Sequence, residues 1–511
     1  MRLATVSQCR SLDELSVKAY GLGSDTLMEA AGLMAARELQ QNFYPELARG
    51  MTAIVCGPGN NGADGLVMAR HLHSMGFRDL LVFIVTAKPK RSPLFKLQFS
   101  RAEKHGLRIV EVSANNIKKN IKKLEQLRSA VLVVDALFGI GLKKKPEGIF
   151  QTVIERMNST KLPIVSLDTP SGLDCDNGVV MGVAAKAHTT FTFGLAKPGF
   201  FVADGPMYVG KLRTLPIGYP YECLRGVATT HFVFSEKLAR RYLPVRKDRS
   251  NKSDFGRLVV LAGSENTWGA GILSAQSAYR IGAGYVTWAG RDLPLKHLEQ
   301  TPEVMTAKLD DDAIWDLKKI TAYAVGPGLG VNDDTLKIVR RLKELSAGRV
   351  VIDADAIAVC AQAKNQIFPL PSSWVMTPHS GELAKLLKRT VQEVEADRFG
   401  AALAGAKLTG CHVLLKGFRS ILAYEKRCLV INSGNSALAK AGSGDVLTGM
   451  IGGLLAQGLD TVQATATAAY IHGRLADEWV RTGHDKRTLN PSDLKEPIGQ
   501  LISRISHGAV F

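Results

Sequence analysis

The sequence predicts two α/β domains, each built on a mostly parallel sheet, and three observations lead there. The chain has 511 residues, more than one hydrophobic core ordinarily supports. Short apolar runs recur along it, and each runs out into a loop of Gly, Asp, Pro or Ser before a helical pattern begins, the alternation expected of βαβ units. At 46% hydrophobic and 22% charged residues the composition is that of an ordinary soluble globular protein. Pro216 and Pro220 mark a connector, so the domains are placed at residues 1–220 and 221–511.

Taken in order, residues 11–40 carry apolar positions at helical spacing around a Gly21/Gly23 break. A strand over residues 52–56 delivers Gly57-Pro58-Gly59-Asn60-Asn61-Gly62-Ala63-Asp64-Gly65, with a helix from Leu66 to about Met75. This contains G-x-G-x-x-G between a strand and a helix, the Rossmann fingerprint. The second strand, over residues 80–86, ends in Ala87-Lys88-Pro89-Lys90 with no acidic residue to hold a ribose. Only the anion-binding turn of that motif is therefore retained. Two more strands follow. Residues 131–134 lead into Asp135, Gly139-Ile140-Gly141-Leu142 and Lys143-Lys144-Lys145, and residues 164–167 lead into Asp168-Thr169-Pro170-Ser171. Ligands of parallel sheets gather at the carboxyl ends of strands, which puts Asp64, Asp135 and Asp168 at one crevice. Singly, each would also serve as a helix cap or turn former. Asn61, Asp135 and Ser171 offer oxygen donors for a hard cation.

Residues 216–250 read as a connector with a basic end. Beyond it, strands run into Gly263-Ser264, Gly326-Pro327-Gly328-Leu329-Gly330, Asp353-Ala354-Asp355, Thr377-Pro378-His379 and Lys416-Gly417, and a helix over residues 270–281 stops at Gly282. The last such loop is Ala441-Gly442-Ser443-Gly444-Asp445. Its small residues let backbone amides converge on a ligand, and the apolar helix behind it favours phosphate oxygens at its start. Asp445 stands where that polarity is most positive, so it is expected to stay ionised and to take a proton from a hydroxyl beside a phosphoryl group. The plainer alternative is a tight turn whose helix is capped by Ser443 and Asp445. There is no Walker loop.

The net charge of +18 suits polyanionic ligands, yet the basic residues are scattered and lack the interleaved aromatics of single-strand binders. Seven cysteines without a CxxC pair point to reduced thiols in a cytoplasmic setting. A charged first twenty residues, and no apolar run of about 18, argue against secretion and membrane spanning.

GPGNNGADG, VVDALFGIGL, LDTPSGLDCDNG and TFTFGLAKPGF together resemble the NAD(P)HX epimerase family over about residues 1–215. The resemblance implies a Rossmann-like α/β/α sandwich that binds a hydrated nicotinamide nucleotide beside K+. It implies nucleotide contacts at Asn60, Asn61, Gly62, Ala63, Asp64, Gly139, Ile140, Gly141, Leu142, Lys143, Lys144, Lys145 and Asp168. Potassium ligands would be Asn61, Asp135 and Ser171, and Asp168 the general base at C6. Ala63 departs from the glycine usual there, adding bulk where backbone meets ligand. NKSDFGRLVVLAGS, PEVMT, VGPGLG, DADA, TPHSGE, LLKG and AGSGDVLTG resemble the ribokinase-like NAD(P)HX dehydratases over about residues 225–511. That resemblance implies substrate contacts at Ala270, Gly328, His379 and Asp445. It implies adenine nucleotide contacts at Lys416, Gly417, Phe418, Arg419, Ser420, Asn435 and Gly444, with Mg2+ accompanying ADP. Asn251, Ser380 and Ser420 stand where a histidine, a proline and a threonine are common.

The expected function is a bifunctional repair enzyme that interconverts (R)- and (S)-NAD(P)HX and dehydrates the S form with ADP, releasing AMP and phosphate. The epimerase-first fusion points to ADP over ATP. No nucleic acid or membrane partner is expected, and a homo-oligomer is. An ATP-dependent kinase of a vitamin precursor or sugar would share the GSGD loop but release a stable phosphorylated product. An RNA-associated scaffold would have no use for the set Asn61, Asp64, Asp135, Asp168 and Ser171.

Overall fold

A computed structural model describes residues 1–87, 91–114, 117–291, 301–316 and 318–507. Lys88, Pro89 and Lys90, read above as the loop closing the second strand, lie outside the described residues. The chain divides into compact units of Arg2–Thr230 and His231–Phe511. The division thus falls at Thr230 rather than at 220. The helix Tyr221–Gly226 stays with the first unit because the guanidinium of Arg2 donates to the Leu224 carbonyl (2.7 Å) and Gln8 to that of Ala228 (2.8 Å). These long-range bonds leave no trace in local sequence.

The first unit is a sheet of parallel strands in the order Arg108–Ser113, Leu80–Thr86, Thr52–Cys56, Leu132–Ala136, Ile164–Leu167, Thr189–Phe193, Lys211–Leu215. Every residue of Thr52–Cys56 is buried, as expected of a strand covered on both faces. Ile54 and Cys56 join a core with the helices Ser24–Arg49 and Asn60–Ser74. Ala53 and Val55 point the other way, towards the helix Ile149–Ser159. The helix after the GPGNNGADG turn begins at Asn60, not Leu66. Gly62 therefore lies in its first turn, where a Cβ would stand 1.8 Å from the Gly57 carbonyl oxygen.

In the second unit the order is His231–Phe234, Arg427–Ile431, Ile421–Tyr424, His412–Leu415, Val375–Met376, Val350–Ile352, Ala322–Val325, Arg257–Leu261, Tyr285–Ala289, Met305–Ala307. All pairs are parallel except those of Ile421–Tyr424, which runs against both neighbours. The supposed connector over residues 216–250 is therefore no linker. It holds a strand, His231–Phe234, and a helix, Glu236–Tyr242, whose Phe234 and Ala239 enter the second core. Short apolar runs beside prolines and arginines hid both. The helix Ser443–Ala456 runs through that core. It is tied to the helix Trp268–Arg280 by Ser274 Oγ donating to the Asp445 carbonyl (2.9 Å) and Ser277 Oγ to that of Val446 (3.0 Å).

All seven cysteines are free and buried. Among the described residues no helix is long and apolar enough to cross a membrane.

Candidate active sites

In the first unit the strand ends converge on Asp168. This residue adopts φ +63°, a region costly for side chains other than Gly, Asn and Asp and often found where function fixes the backbone. One carboxylate oxygen accepts from Lys197 Nζ at 2.6 Å and the other from the Ile140 amide at 3.3 Å. A Cβ on Gly139 would lie 3.0 Å from Asp168 Oδ2 and 3.3 Å from Asn61, so the GIG turn, Asn61 and Asp168 share one small volume. Asn60 and Lys143, Lys144 and Lys145 are exposed on its flanks.

Sequence reasoning passed over three groups here. Lys197 is 1% exposed and also donates to Thr192 Oγ1 (2.5 Å). Burial lowers its pKa, but the Asp168 carboxylate outweighs that and holds the ammonium above its usual range. Asp13 accepts from the hydroxyl of Tyr219, and burial lifts its carboxyl despite that bond. Burial, then the charges of Asp168 and Asp13, push Asp64 well above the ordinary carboxylate range. The lysine stood in the quoted GLAKPGF string; Asp13 and Tyr219 meet across 206 residues and carried no signal.

Ala63 is wholly buried and joins the core behind the GPGNNGADG turn.

Of the three expected cation donors, Asp135 and Ser171 meet directly. Asp135, fully buried, accepts from Ser171 Oγ (2.6 Å), Ser166 Oγ (2.8 Å) and the Ser171 amide (2.9 Å). Burial nevertheless raises its carboxyl, and these bonds only oppose that rise. No cationic side chain pairs with it among the described residues. Asn61 is buried with both amide atoms unpartnered. An orphaned buried amide oxygen and a buried carboxylate without a cation are each donors that fit a hard cation.

In the second unit Asp353, Lys416 and Asp445 form the centre. Asp353, at the end of Val350–Ile352, accepts from Lys416 Nζ (2.6 Å) and Thr448 Oγ1 (2.6 Å). Burial raises its carboxyl, but the lysine and these bonds prevail and lower it. Gly444 faces the same pair, since a Cβ there would lie 3.6 Å from Lys416 Nζ and 3.7 Å from Asp353 Oδ2. Gly442, at φ +92°, opens the helix without any side-chain cap. The Ser443 amide donates to the Lys440 carbonyl (3.2 Å), no side chain caps the first-turn amides that follow it, and the plain capping alternative is not what is built. Asp445 lies in that turn with no side-chain hydrogen bond among the described residues. Burial first, then the charge of Asp353, push its carboxyl up to about 6. The helix start does not hold it in the ordinary carboxylate range, because desolvation outweighs the helix polarity.

Ala270 and Gly328 meet through Thr267, whose hydroxyl donates to the Gly328 carbonyl (2.7 Å) and whose own carbonyl accepts from the Ala270 amide (3.1 Å). His379 caps the helix Ser380–Leu387: its Nδ1 accepts from the Gly381 amide (3.0 Å). Its Nε2 lies 3.5 Å from Glu382 and is open to a ligand, since the side chain is 61% exposed. On the nucleotide side Gly417 packs on Arg398, Phe418 is exposed, and Ser420 Oγ donates to the Gly417 carbonyl (3.3 Å). Arg419, at φ +59°, has an unpartnered buried Nε. The amide of Asn435 is committed within the protein, accepting from the Ala437 amide (3.0 Å) and donating to Asp477 (3.0 Å). His472, fully buried, places Nε2 3.2 Å from Ser443 Oγ; nothing in the sequence singled it out.

Residues 258–499 match the family described as NAD(P)H-hydrate dehydratase, and residues 24–199 the YjeF-related protein N-terminus. A bifunctional NAD(P)H-hydrate repair enzyme of Thermofilum pendens is 36% identical over 491 residues, 93% of this chain and 92% of that one. The chain belongs to the bifunctional NAD(P)H-hydrate repair enzymes. A second member, from Moorella thermoacetica, is 34% identical over 512 residues, 97% and 95% of the two chains. Among solved structures, the ADP/ATP-dependent NAD(P)H-hydrate dehydratase of Bacillus subtilis, co-crystallised with ATP and Mg2+, is 29% identical. It covers 54% of this chain and 98% of its own, with a TM-score of 0.49. Members of the family carry an epimerase and a dehydratase domain in one polypeptide, and near full-length likeness to them leaves the kinase and scaffold readings without support.

Proposed function

We propose that the first unit interconverts (R)- and (S)-NAD(P)HX through Asp168. The second dehydrates (S)-NAD(P)HX to NAD(P)H with ADP, releasing AMP and phosphate, through Asp445. The observation that carries this reading is the Asp445 carboxyl, unpaired and raised to about 6 at the uncapped start of the Ser443–Ala456 helix. A base near neutrality can accept a proton from the C6 hydroxyl and still be ionised in the cell.

Each residue then has a task. Asp445 takes the hydroxyl proton as the oxygen attacks the terminal phosphoryl group, and the Gly444 amide at the helix start steadies the charge on the phosphoryl oxygens. Breaking the C6–O bond, with loss of a proton from C5, expels phosphate and restores the dihydropyridine. Ala270, Gly328 and His379 bound the nicotinamide side; Lys416, Gly417, Phe418, Arg419, Ser420, Asn435 and Gly444 bound the nucleotide. Since Asp353 is taken by Lys416 and Thr448 and Asp445 serves as the base, Mg2+ arriving with ADP would take most of its ligands from nucleotide and water oxygens. Bound there, it would neutralise phosphate charge. In the first unit Lys197 fixes Asp168 against the ring. Asn61, Asp135 and Ser171 would hold K+, which supplies a positive charge to the buried Asp135. The seven free thiols support a cytoplasmic setting, and the protein works as a homo-oligomer without nucleic acid or membrane partners.

The test follows recovery of the dihydronicotinamide absorbance from mixed (R)- and (S)-hydrated NADH, with ADP and then ATP. Wild type should recover fully with ADP. Asp445→Ala should abolish recovery, and Asp168→Ala should slow the second half to the spontaneous epimerisation rate. No recovery with either nucleotide overturns the dehydratase assignment, and full-speed second-half recovery in Asp168→Ala overturns the epimerase one.

A further inference from the structure

We infer that the helix Thr461–Arg481 sets the phosphate loop in register with the nucleotide loop: His472 holds Ser443 and Asp477 holds Gly434 and Asn435, making both positioning residues for phosphoryl transfer. The inference rests on the dehydratase reading above.

The phosphate loop does not hold itself. A self-sufficient helix start carries a side-chain cap that satisfies its own amides. Here the cap position is Gly442, and the Ser443 hydroxyl turns away from the helix to meet His472 at 3.2 Å. That ring is 6% exposed and also meets the Ser443 backbone. Burial lowers its pKa to about 4, so the tie is made by a neutral ring and puts no second charge beside the phosphates.

The nucleotide loop depends on the same helix. Asp477 Oδ2 accepts from the Gly434 amide (3.0 Å) and Oδ1 from Asn435 Nδ2 (3.0 Å), while Ser433 Oγ donates to the Tyr470 carbonyl (2.9 Å). The two anchors are five residues apart, about 7.5 Å along a helix. A rigid element gripping both loops fixes where the terminal phosphoryl group lies relative to Asp445, and misplacement by about 1 Å costs roughly a hundredfold in rate.

The two anchors should therefore fail differently. In dehydration assays with ADP varied, Ser443→Ala and His472→Gln should each lower kcat about ten- to a hundredfold, with KM for ADP within about twofold. The double variant should be no slower than the slower single, since both remove one bond. Asp477→Asn should raise KM for ADP about tenfold and change kcat by less than about twofold. Near-ultraviolet circular dichroism checks folding; should His472→Gln misfold, Ser443→Ala alone decides. Unchanged rates in Ser443→Ala, or kcat and KM moving together in every variant, overturn the inference. Wild-type protein inert with both ADP and ATP overturns the reading beneath it.

Discussion

Both units set a buried lysine among aspartates at the carboxyl ends of parallel strands, and they differ in which aspartate receives it. In the first, Lys197 goes to Asp168, the proposed base itself, and burial lifts Asp64 and Asp13, the latter against the opposing pull of Lys197. In the second, Lys416 goes to Asp353, which also takes Thr448, and the proposed base Asp445 is left to rise to about 6. In the first unit the lysine grips the proposed base; in the second it grips a neighbouring aspartate, and burial lifts the base while Lys416 only opposes that rise. An anchored base suits a reaction in which a proton must go and return at the same carbon. A tuned one suits the single deprotonation that starts phosphoryl transfer.

The comparison breaks most visibly at the tuned base. Asp445→Asn should lower the dehydration rate by about 10²–10⁴-fold and leave epimerisation, followed by chromatographic separation of the two epimers, unchanged. Next come the lysines. Lys416→Met strands the Asp353 carboxylate, 1% exposed, and should cost the second unit about 3–5 kcal/mol in denaturant unfolding. Lys197→Met should cost less, because the Asp168 side chain is 13% exposed and water can reach it. Equal losses would mean that exposure does not govern the difference.

The pH dependence sharpens the contrast. A carboxyl raised to about 6 is a base only above that value, so kcat for dehydration should climb as pH rises through about 6 and then level. The same shift acts on stability with the opposite sign. Folding favours the protonated form, so the stability Asp445 contributes is present below the ordinary carboxylate range and lost as pH rises through about 6. Asp445→Asn, always neutral, should therefore be more stable than wild type at pH 8, by about 1–3 kcal/mol, and should match it near pH 3; no difference at pH 8 would show the carboxyl is not raised. The smallest effect belongs to the first turn: Gly59→Ala, whose Cβ would meet nothing within 4 Å, should be silent in thermal melts, whereas Gly62→Ala should lower the melting point.

What could be read from the sequence was local. The strands Thr52–Cys56, Leu80–Thr86 and Ile164–Leu167 have the bounds their apolar runs indicate, with Gly57 following the first and Asp168 the last. Asp135 and Ser171 meet at the strand ends, and Asn61 and Asp168 both face the Gly139 turn. Distant pairings stayed hidden. Asp13 and Tyr219, Lys197 and Asp168, and His472 and Ser443 look like ordinary residues until the sheet brings them together. The strand His231–Phe234 went unread for the same reason: four residues beside a basic stretch become a strand only by pairing with Arg427–Ile431.

The burial of every cysteine gives the molecule a chemical clock of its own. Thiols react as thiolates and only where reagent can reach them. Burial has pushed Cys9 and Cys411 up to about 11 and Cys175, Cys360 and Cys428 up to about 12. An alkylating reagent should therefore leave the native protein unlabelled and mark each thiol only when its surroundings open. Cys9, Cys56, Cys175 and Cys223 belong to the first unit, and Cys360, Cys411 and Cys428 to the second. The order in which the masses of their peptides shift will record which half of the enzyme lets go first.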